Sequence, residues 1–192
     1  MDYHMLDDGD KIAVAVSGGK DSLALLRILL DRRKFVPIKY SIIAVHVDMG
    51  YPKPISRQLT GYFRKLGVDY RIVKTDELKK TPPKDINCFW CAWNRRKILF
   101  QTADKLGCTK VALGHHMDDI IETTLMNMFF QAEISTMAPR QELFKGRIVI
   151  IRPLAYVEEK EIADFIKSEK TKVFSCKCPH SRLSQRYLMS RI

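Results

Sequence analysis

IAVAVSGGKDSLALL, residues 12–26, is the stretch that decides the fold. Residues 12–16 are short, apolar and partly β-branched, which is typical of a strand covered on both faces. Gly18 and Gly19 end the strand, because glycine lets the backbone turn sharply and bring its N–H groups close to a ligand. From Asp21 onward, leucines recur at helical spacing. The stretch therefore predicts a buried strand, a tight turn and a helix.

The predicted turn has the features of a phosphate site. The first turn of a helix carries unpaired N–H groups and the positive end of the helix dipole, and Lys20 adds a full charge beside them. SGGKDS, at residues 17–22, is shorter than the Walker A loop, which needs G-x-x-x-x-G-K-[ST]. The structural alternative is a glycine turn that closes an ordinary βα unit.

Composition bounds the class of protein. The chain has 192 residues, of which 46% are apolar and 29% are charged, as in one globular domain with a sizeable core. We treat residues 1–192 as a single domain with a cysteine-bearing tail from about residue 174. No apolar run is long enough to span a membrane, and the acidic N-terminus lacks the apolar segment of a signal peptide. We therefore expect a cytoplasmic protein.

The net charge of +11 favours a polyanionic partner. Phosphate contacts and counterion release make nucleic acid the obvious candidate. Charge alone leaves open the alternative of a merely basic surface. Lysines and arginines cluster in the C-terminal tail and at residues 32–34, 79–80 and 95–97.

Strands alternate with helices along the chain. The pattern predicts strands at residues 12–16, 40–47, 70–73, 110–113 and 147–151, loops over 75–87 and 132–146, and a last helix over 181–189. This alternation indicates an α/β protein with an open parallel sheet of about five strands and helices on both faces. Right-handed crossovers place every strand-to-helix turn at one edge, where such sheets bind ligands. Residues 17–22, 46–48 and 114–119 should therefore converge.

Five cysteines carry the second chemical signal. An odd number in a chain expected inside the cell argues against a disulfide framework. Cys88 and Cys91 form a C-x-x-C, Cys176 and Cys178 form a C-x-C, and Cys108 stands alone as a core residue. Soft thiolates at C-x-x-C spacing select zinc or an iron–sulfur cluster. The spacing of the cysteines alone does not distinguish zinc from an iron–sulfur cluster.

Five further segments accompany the loop. They are AVHVD (44–48), CFWCAWNRRKIL (88–99), LGHHMDD (113–119), LMNMF (125–129) and IRPLAY (151–156). In this order they resemble the TtcA/TtuA group of tRNA thiolases, within the PP-loop (N-type) ATP pyrophosphatases, and most of all the 2-thiocytidine synthetases of that group. The resemblance covers most of residues 11–186 and implies the Rossmann-like PP-loop (HUP) fold.

The resemblance implies a reaction in two stages. ATP with Mg²⁺ adenylates a base carbonyl of tRNA, with cytidine C2 as the expected position, and pyrophosphate leaves. Sulfur from sulfide or a cysteine-desulfurase pathway then replaces the oxygen as AMP departs. Sulfur delivery is expected at a [4Fe–4S] cluster held by Cys88, Cys91 and Cys178. Cys176 is out of register, and is either a spare thiol or a fourth ligand.

The resemblance also implies site residues at the sheet edge. Lys20, Asp48 and Asp119 are the expected catalytic residues, and Asp118 is a further candidate for Mg²⁺. Asp118 and Asp119 also stand where a helix cap and a first-turn acid are common. The residues expected to contact ATP are Ser17, Gly18, Gly19, Lys20, Asp21, Ser22, His46, Val47, Gly114 and His115. One of His115 and His116 is expected to be a packed histidine instead.

The expected tRNA contacts are basic and aromatic. Arg95, Arg96, Lys97 and Arg152 are the basic candidates, and a surface salt bridge is the alternative for Arg152. Trp90 and Trp93 are available to stack on a displaced base, although one of them is expected in the core. A homodimer could complete the tRNA surface.

Three other interpretations remain open. A PP-loop ligase with another nucleophile, such as lysidine synthase or an amidotransferase, would leave the four paired cysteines only a structural Zn²⁺. A nucleotide-binding regulatory module predicts ATP binding without pyrophosphate release. A tRNA-binding accessory protein would not need ATP.

Overall fold

The described part of the chain folds as a six-stranded sheet with helices on both faces. The computed structural model describes residues 3–52 and 54–174. Its strands are β1 Lys11–Ala15, β2 Ser41–Asp48, β3 Asp69–Lys74, β4 Lys110–Ala112, β5 Arg140–Leu143 and β6 Ile148–Ile151. Its helices are α1 Lys20–Arg32, α2 Ser56–Leu66, α3 Glu77–Lys80, α4 Cys88–Lys105, α5 Met117–Gln131 and α6 Glu159–Ser168, and a 3₁₀ turn spans Pro83–Asp85.

The sheet order is β3-β2-β1-β4-β6-β5. Strands β3, β2, β1, β4 and β6 are parallel, which confirms the predicted α/β architecture. From β1 the chain first adds β2 and β3 on one side, and then returns to add β4 and the later strands on the other side. The strand order therefore reverses between β1 and β4. In open α/β sheets this reversal opens a crevice at the carboxyl ends of the strands. The helices α1 and α5 begin beside that crevice.

The prediction of loops at residues 132–146 and 75–87 is partly wrong. Arg140–Leu143 forms β5, which pairs antiparallel with β6. This edge strand is polar and only partly buried, so it lacks the alternation that reveals a half-buried strand. Residues 75–87 contain α3 and the 3₁₀ turn, both too short for a periodic signal. The helix predicted over 181–189 lies outside the described residues.

Two apolar clusters sandwich the sheet. On one face α1, α2 and α6 pack over the sheet through residues such as Leu26, Phe63 and Ile162. On the other face α4 packs through Leu99, Phe100 and Ala103. The main sheet contacts of α4 are with β2, β1 and β4. One side of β6 therefore borders α4 without lying under it.

Helix α5 differs from the other long helices. Within the described residues, none of its side chains is buried. Ile121, Leu125, Met128 and Phe129 share one face of the helix, but Phe129 exposes 69% of its surface. The neighbouring Phe130 exposes 48%. None of the helices in the described ranges is long and apolar enough to cross a membrane.

Candidate functional site

Residues 17–22 form a closed turn between β1 and α1. The Ser17 hydroxyl accepts the Gly19 N–H at 3.3 Å, and the Ser22 hydroxyl accepts the Ser17 N–H at 3.2 Å. The Ser22 hydroxyl also donates to the Gly19 carbonyl at 2.9 Å. Gly18 has a φ of 93°, in the left-handed region that favours glycine. Gly19 caps α1 without a side chain, which leaves the first helical N–H groups open to an anion.

Lys20 is held beside this turn by two carboxylates. Its Nζ lies 2.8 Å from Asp21 Oδ1 and 2.7 Å from Glu159 Oε1. Partial burial opposes the charged form, but the hydrogen bonds to these acids outweigh it and raise the pKa of Lys20 above its usual value. Sequence reasoning missed Glu159. Its only signal in the sequence is the pair Glu158 and Glu159, since acidic residues are common in the first turn of a helix.

The turn after β4 packs directly on the loop formed by residues 17–22. A Cβ on Gly114 would lie 3.1 Å from backbone atoms of both Asp21 and Ser22, so a larger residue would push the two loops apart by a few tenths of an ångström. His116 is buried, with Nε2 3.8 Å from Asp21 Oδ1. His116 is therefore the packed member of the histidine pair. The structure thus brings together two loops that lie far apart in sequence.

Asp118 and Asp119 both have structural partners. Asp119 Oδ2 accepts the His116 N–H at 3.2 Å, at the start of α5. Asp118 Oδ2 accepts the Glu159 N–H at 2.8 Å, and this hydrogen bond lowers the pKa of Asp118. Each acid fixes the start of a helix beside the crevice. A role in Mg²⁺ binding or catalysis stays a prediction.

The residues at the end of β2 support the loop from the opposite side. His46 Nδ1 donates to the Val16 carbonyl at 2.7 Å, just before the loop, and the His46 side chain is buried. Asp48 accepts the Gly50 N–H at 3.0 Å and the Ser56 hydroxyl. Val47 is also buried. Their proposed contacts with ATP stay predictions, and so does catalysis by Asp48.

The buried His46 predicts a loss of stability in mild acid. Burial lowers the pKa of His46 below its usual value of 6.5, so the unfolded chain takes up a proton that the folded chain resists. The free energy of unfolding should therefore fall as the pH drops through about 6.5. Urea unfolding at pH 5–8 should show a smaller fall for His46→Asn than for the native chain. Parallel pH profiles for the two proteins would contradict this assignment.

The two described cysteines of the C-x-x-C lie in the first turn of α4. Asn87 caps this helix by accepting the Trp90 N–H at 2.9 Å. Cys91 is buried and its Sγ lies 2.7 Å from the Tyr51 hydroxyl, whereas Cys88 is exposed. Because α4 follows the carboxyl end of β3, these thiols lie at the same sheet edge as the loop.

The donor set fits a soft metal. Cys88 and Cys91 supply two thiols from one helical turn, an arrangement compatible with both zinc sites and iron–sulfur clusters. Among residues 3–52 and 54–174, no group of three or more His, Cys, Asp or Glu side chains is arranged to hold a metal ion. Cys176 and Cys178, the other predicted ligands, lie outside the described residues.

The last described residue contacts the loop. The Phe174 N–H donates to the Gly18 carbonyl at 2.9 Å. A Cβ on Gly18 would lie 3.2 Å from the Phe174 Cβ and 2.5 Å from Ile55 Cδ1. The cysteine-bearing tail therefore leaves the described fold directly beside the loop. Sequence reasoning missed Phe174, for which no motif was visible.

Arg152 lies inside the protein, so the alternative of a surface salt bridge is wrong. Only 3% of its surface is exposed. Its Nε donates to His115 Nδ1 at 3.3 Å, and Nη1 donates to the Ala138 carbonyl. Burial lowers the pKa of Arg152 to about 10, and the nearby Arg96 contributes. Arg95, Arg96 and Lys97 are exposed on α4.

Fold and loop define a PP-loop nucleotide-binding protein. Residues 3–186 match the PP-loop domain family, and the chain belongs to this family. It is 44% identical over 182 residues to the tRNA-cytidine(32) 2-sulfurtransferase of Geobacter sulfurreducens, covering 93% of this chain and 71% of the relative. It is 43% identical over 179 residues to the enzyme of that name from Psychromonas ingrahamii, covering 91% and 58%.

Among solved structures, the chain is similar to the U34-tRNA thiolase NcsA from Methanococcus maripaludis with its [4Fe–4S] cluster. The TM-score is 0.80 at 27% identity, covering 97% of this chain and 65% of that one. The chain spans 58% to 72% of the length of the curated relatives it matches. These findings confirm the predicted family and fold.

Proposed function

We propose that the protein is an ATP-dependent tRNA sulfurtransferase that converts cytidine to 2-thiocytidine. The observation that carries this proposal is the common position of three parts. The PP loop, the cysteines of α4 and the start of the cysteine-bearing tail all lie at the carboxyl edge of the sheet. The relatives named tRNA-cytidine(32) 2-sulfurtransferase support cytidine as the target base. A cytoplasmic location is part of the proposal.

The PP loop would perform the first stage. The open N–H groups of α1 and Lys20 bind the phosphates of ATP, with Mg²⁺ bound through the same phosphates. The C2 oxygen of the base attacks the α-phosphorus, and the α–β bond breaks to release pyrophosphate. Positioning and charge neutralisation supply most of the catalysis. Glu159 and Asp21 hold Lys20 in place before the phosphates arrive.

The cysteines would serve the second stage. Cys88, Cys91 and Cys178 would hold a [4Fe–4S] cluster, which would supply a metal site for the incoming sulfur. Sulfide, free or from a cysteine-desulfurase pathway, attacks C2 of the base, and the former base oxygen leaves with AMP. Phe174 lies only four residues before Cys178, and four residues of extended chain span about 14 Å at most. Four residues of chain therefore set the greatest possible separation between Cys178 and Phe174, whose N–H donates to the Gly18 carbonyl.

An assay with tRNA tests the proposed function. Protein purified without oxygen is incubated with unmodified tRNA, ATP, Mg²⁺ and sulfide, and nucleosides are analysed by mass spectrometry. We expect 2-thiocytidine and pyrophosphate in equal amounts, and neither product when ATP is omitted. ATP binding without pyrophosphate release would instead indicate a regulatory module. A colourless protein with stoichiometric zinc would favour a PP-loop ligase with a structural Zn²⁺.

We also propose that two copies associate through α5. Residues 123–131 carry no charge on a chain of net charge +11, so this surface does not suit a nucleic acid. Apolar patches of this kind mark protein interfaces, and twofold dimers are the commonest assemblies. A second copy offers the same uncharged helix, so the contact itself would not bring like charges together.

The substitution Phe129→Asp should weaken the dimer at least about tenfold, because it places a charge in an apolar contact. Light scattering during size-exclusion chromatography should give twice the chain mass for the native protein and the mass of one chain for the variant. Phe35→Asp is the matched control, since Phe35 is 84% exposed and lies far along the chain from α5. A native protein that elutes as one chain would contradict the dimer.

A further inference from the structure

A groove of about 690 Å³ lies between α4 and the β5–β6 hairpin. It forms because α4 covers β2, β1 and β4, which leaves β6 bordered on one side by the hairpin turn. Ile148 and Ile150 of β6 form an apolar floor. Phe100 and Phe144 meet edge to face across it, with ring centroids 6.5 Å apart. This volume is within the range of sites for small ligands, and one nucleotide would fit.

One end of the groove holds a buried cation. Arg152 lines the groove, and its side chain donates to His115, to the Ala138 carbonyl and, at 3.5 Å, to Gln141 Oε1. No carboxylate within the described ranges pairs with it. A buried charge without an opposite charge is costly. An anion such as a phosphate would complete this arrangement.

The wall formed by α4 alternates aromatic and cationic side chains. Trp93, Arg96, Lys97 and Phe100 follow one another at helical spacing and all line the groove. Trp93 exposes 61% of its surface. In the described part of the chain, neither Arg96 nor Lys97 has a carboxylate partner. Aromatic rings beside free cations are the usual means of binding single-stranded nucleic acid.

At the other end of the groove, the positive charge of Arg147 is neutralised by a carboxylate. Arg147 Nε and Nη2 donate to the two carboxylate oxygens of Asp104 at 2.8 and 2.9 Å. Free positive charge is therefore concentrated at the end where Arg152 contacts His115. That end adjoins Gly114, which packs on the PP loop. An RNA strand whose reactive base enters the crevice would lead its next nucleotide towards this end.

We propose that this groove binds one unpaired nucleotide of the RNA substrate, next to the nucleotide that reacts. The base stacks on Trp93, and the phosphate pairs with Arg96 and Arg152. The proposal rests on the proposed function and adds a second RNA contact beside the reaction site. A protein segment is the other possible occupant, but the excess of unpaired cations over carboxylates favours RNA.

Binding of the tRNA substrate tests the groove without requiring sulfur transfer. We expect Trp93→Ala to weaken tRNA affinity about tenfold, because it removes one stacked base. Arg96→Gln should weaken affinity and lower the slope of log affinity against log salt by about one phosphate. Arg152→Lys should weaken affinity while ATP binding is retained. With Trp90→Phe as background, tRNA should quench the fluorescence of Trp93.

The controls lie on the same helix. Phe89→Ala removes an exposed aromatic ring outside the groove, and Lys105→Gln removes an exposed charge outside it. If the Trp93 and Arg96 variants kept native tRNA affinity and normal thiolation, the proposal that the groove binds RNA would be wrong. The proposed function would still stand. A native protein that binds no tRNA would overturn the proposed function first. A changed oligomeric state in Trp93→Ala would show that the groove binds protein instead.

Discussion

Lys20→Ala should reduce ATP-dependent pyrophosphate release by a factor on the order of 10²–10³. The amino group of Lys20 is the only full positive charge described within the PP loop itself, residues 17–22. Removing one preorganised group that stabilises transition-state charge typically has an effect of this size. Release should be measured as pyrophosphate formed per enzyme under saturating tRNA.

The structure supplies a matched control for this substitution. Lys160 follows Glu159 on α6 and is exposed, so Lys160→Ala should leave the rate close to that of the native protein. Circular dichroism should show that both variants are folded. Unchanged turnover in Lys20→Ala would remove the PP loop from the reaction. Loss of rate in Lys160→Ala as well would point to a general effect of surface charge.

Cys91→Ser should abolish 2-thiocytidine formation while pyrophosphate release persists. Serine is close to cysteine in size and can still contact the Tyr51 hydroxyl, so the start of α4 should be preserved. A hydroxyl is a poor replacement for a thiolate ligand of iron. Iron content and visible absorption should therefore fall together with sulfur transfer. The thiolated nucleoside is measured by mass spectrometry and pyrophosphate separately.

Cys108→Ala is the control for the second prediction. Cys108 is buried below α4 at the start of β4, away from the crevice, and burial raises the pKa of its thiol. This variant should retain iron and thiolation. Cys178→Ser should behave like Cys91→Ser, whereas Cys176→Ser should keep most of the activity. Equal losses at Cys176 and Cys178 would indicate four cysteine ligands and contradict the three-cysteine site.

The parallel core of the fold was predictable because its signals are local. Residues 12–16 are apolar, Gly18 and Gly19 follow them, and leucines then recur at helical spacing. Each local preference agrees with the final fold at this point. The polar edge strand β5 gives no such signal, since its position depends on pairing with β6.

The sequence predicted where the candidate site lies, but it did not predict which side chains contact one another there. The alternation of strands and helices indicates that residues 17–22 and 114–119 meet, and Gly114 packs on the loop accordingly. Glu159 was not predictable, because its ion pair with Lys20 depends on how α6 docks. The burial of Arg152 was not predictable either, because it depends on the β5–β6 hairpin, which has only a weak signal in the sequence.

The hydrogen bond from Phe174 to Gly18 has a thermodynamic consequence. It joins the backbone that would cradle a triphosphate to the backbone from which the thiol-bearing end of the chain departs. Linkage between two sites is symmetrical, so any factor by which nucleotide tightens metal binding is also the factor by which metal tightens nucleotide binding. Under the proposed function, this amide is the described contact through which nucleotide binding and metal binding would influence each other.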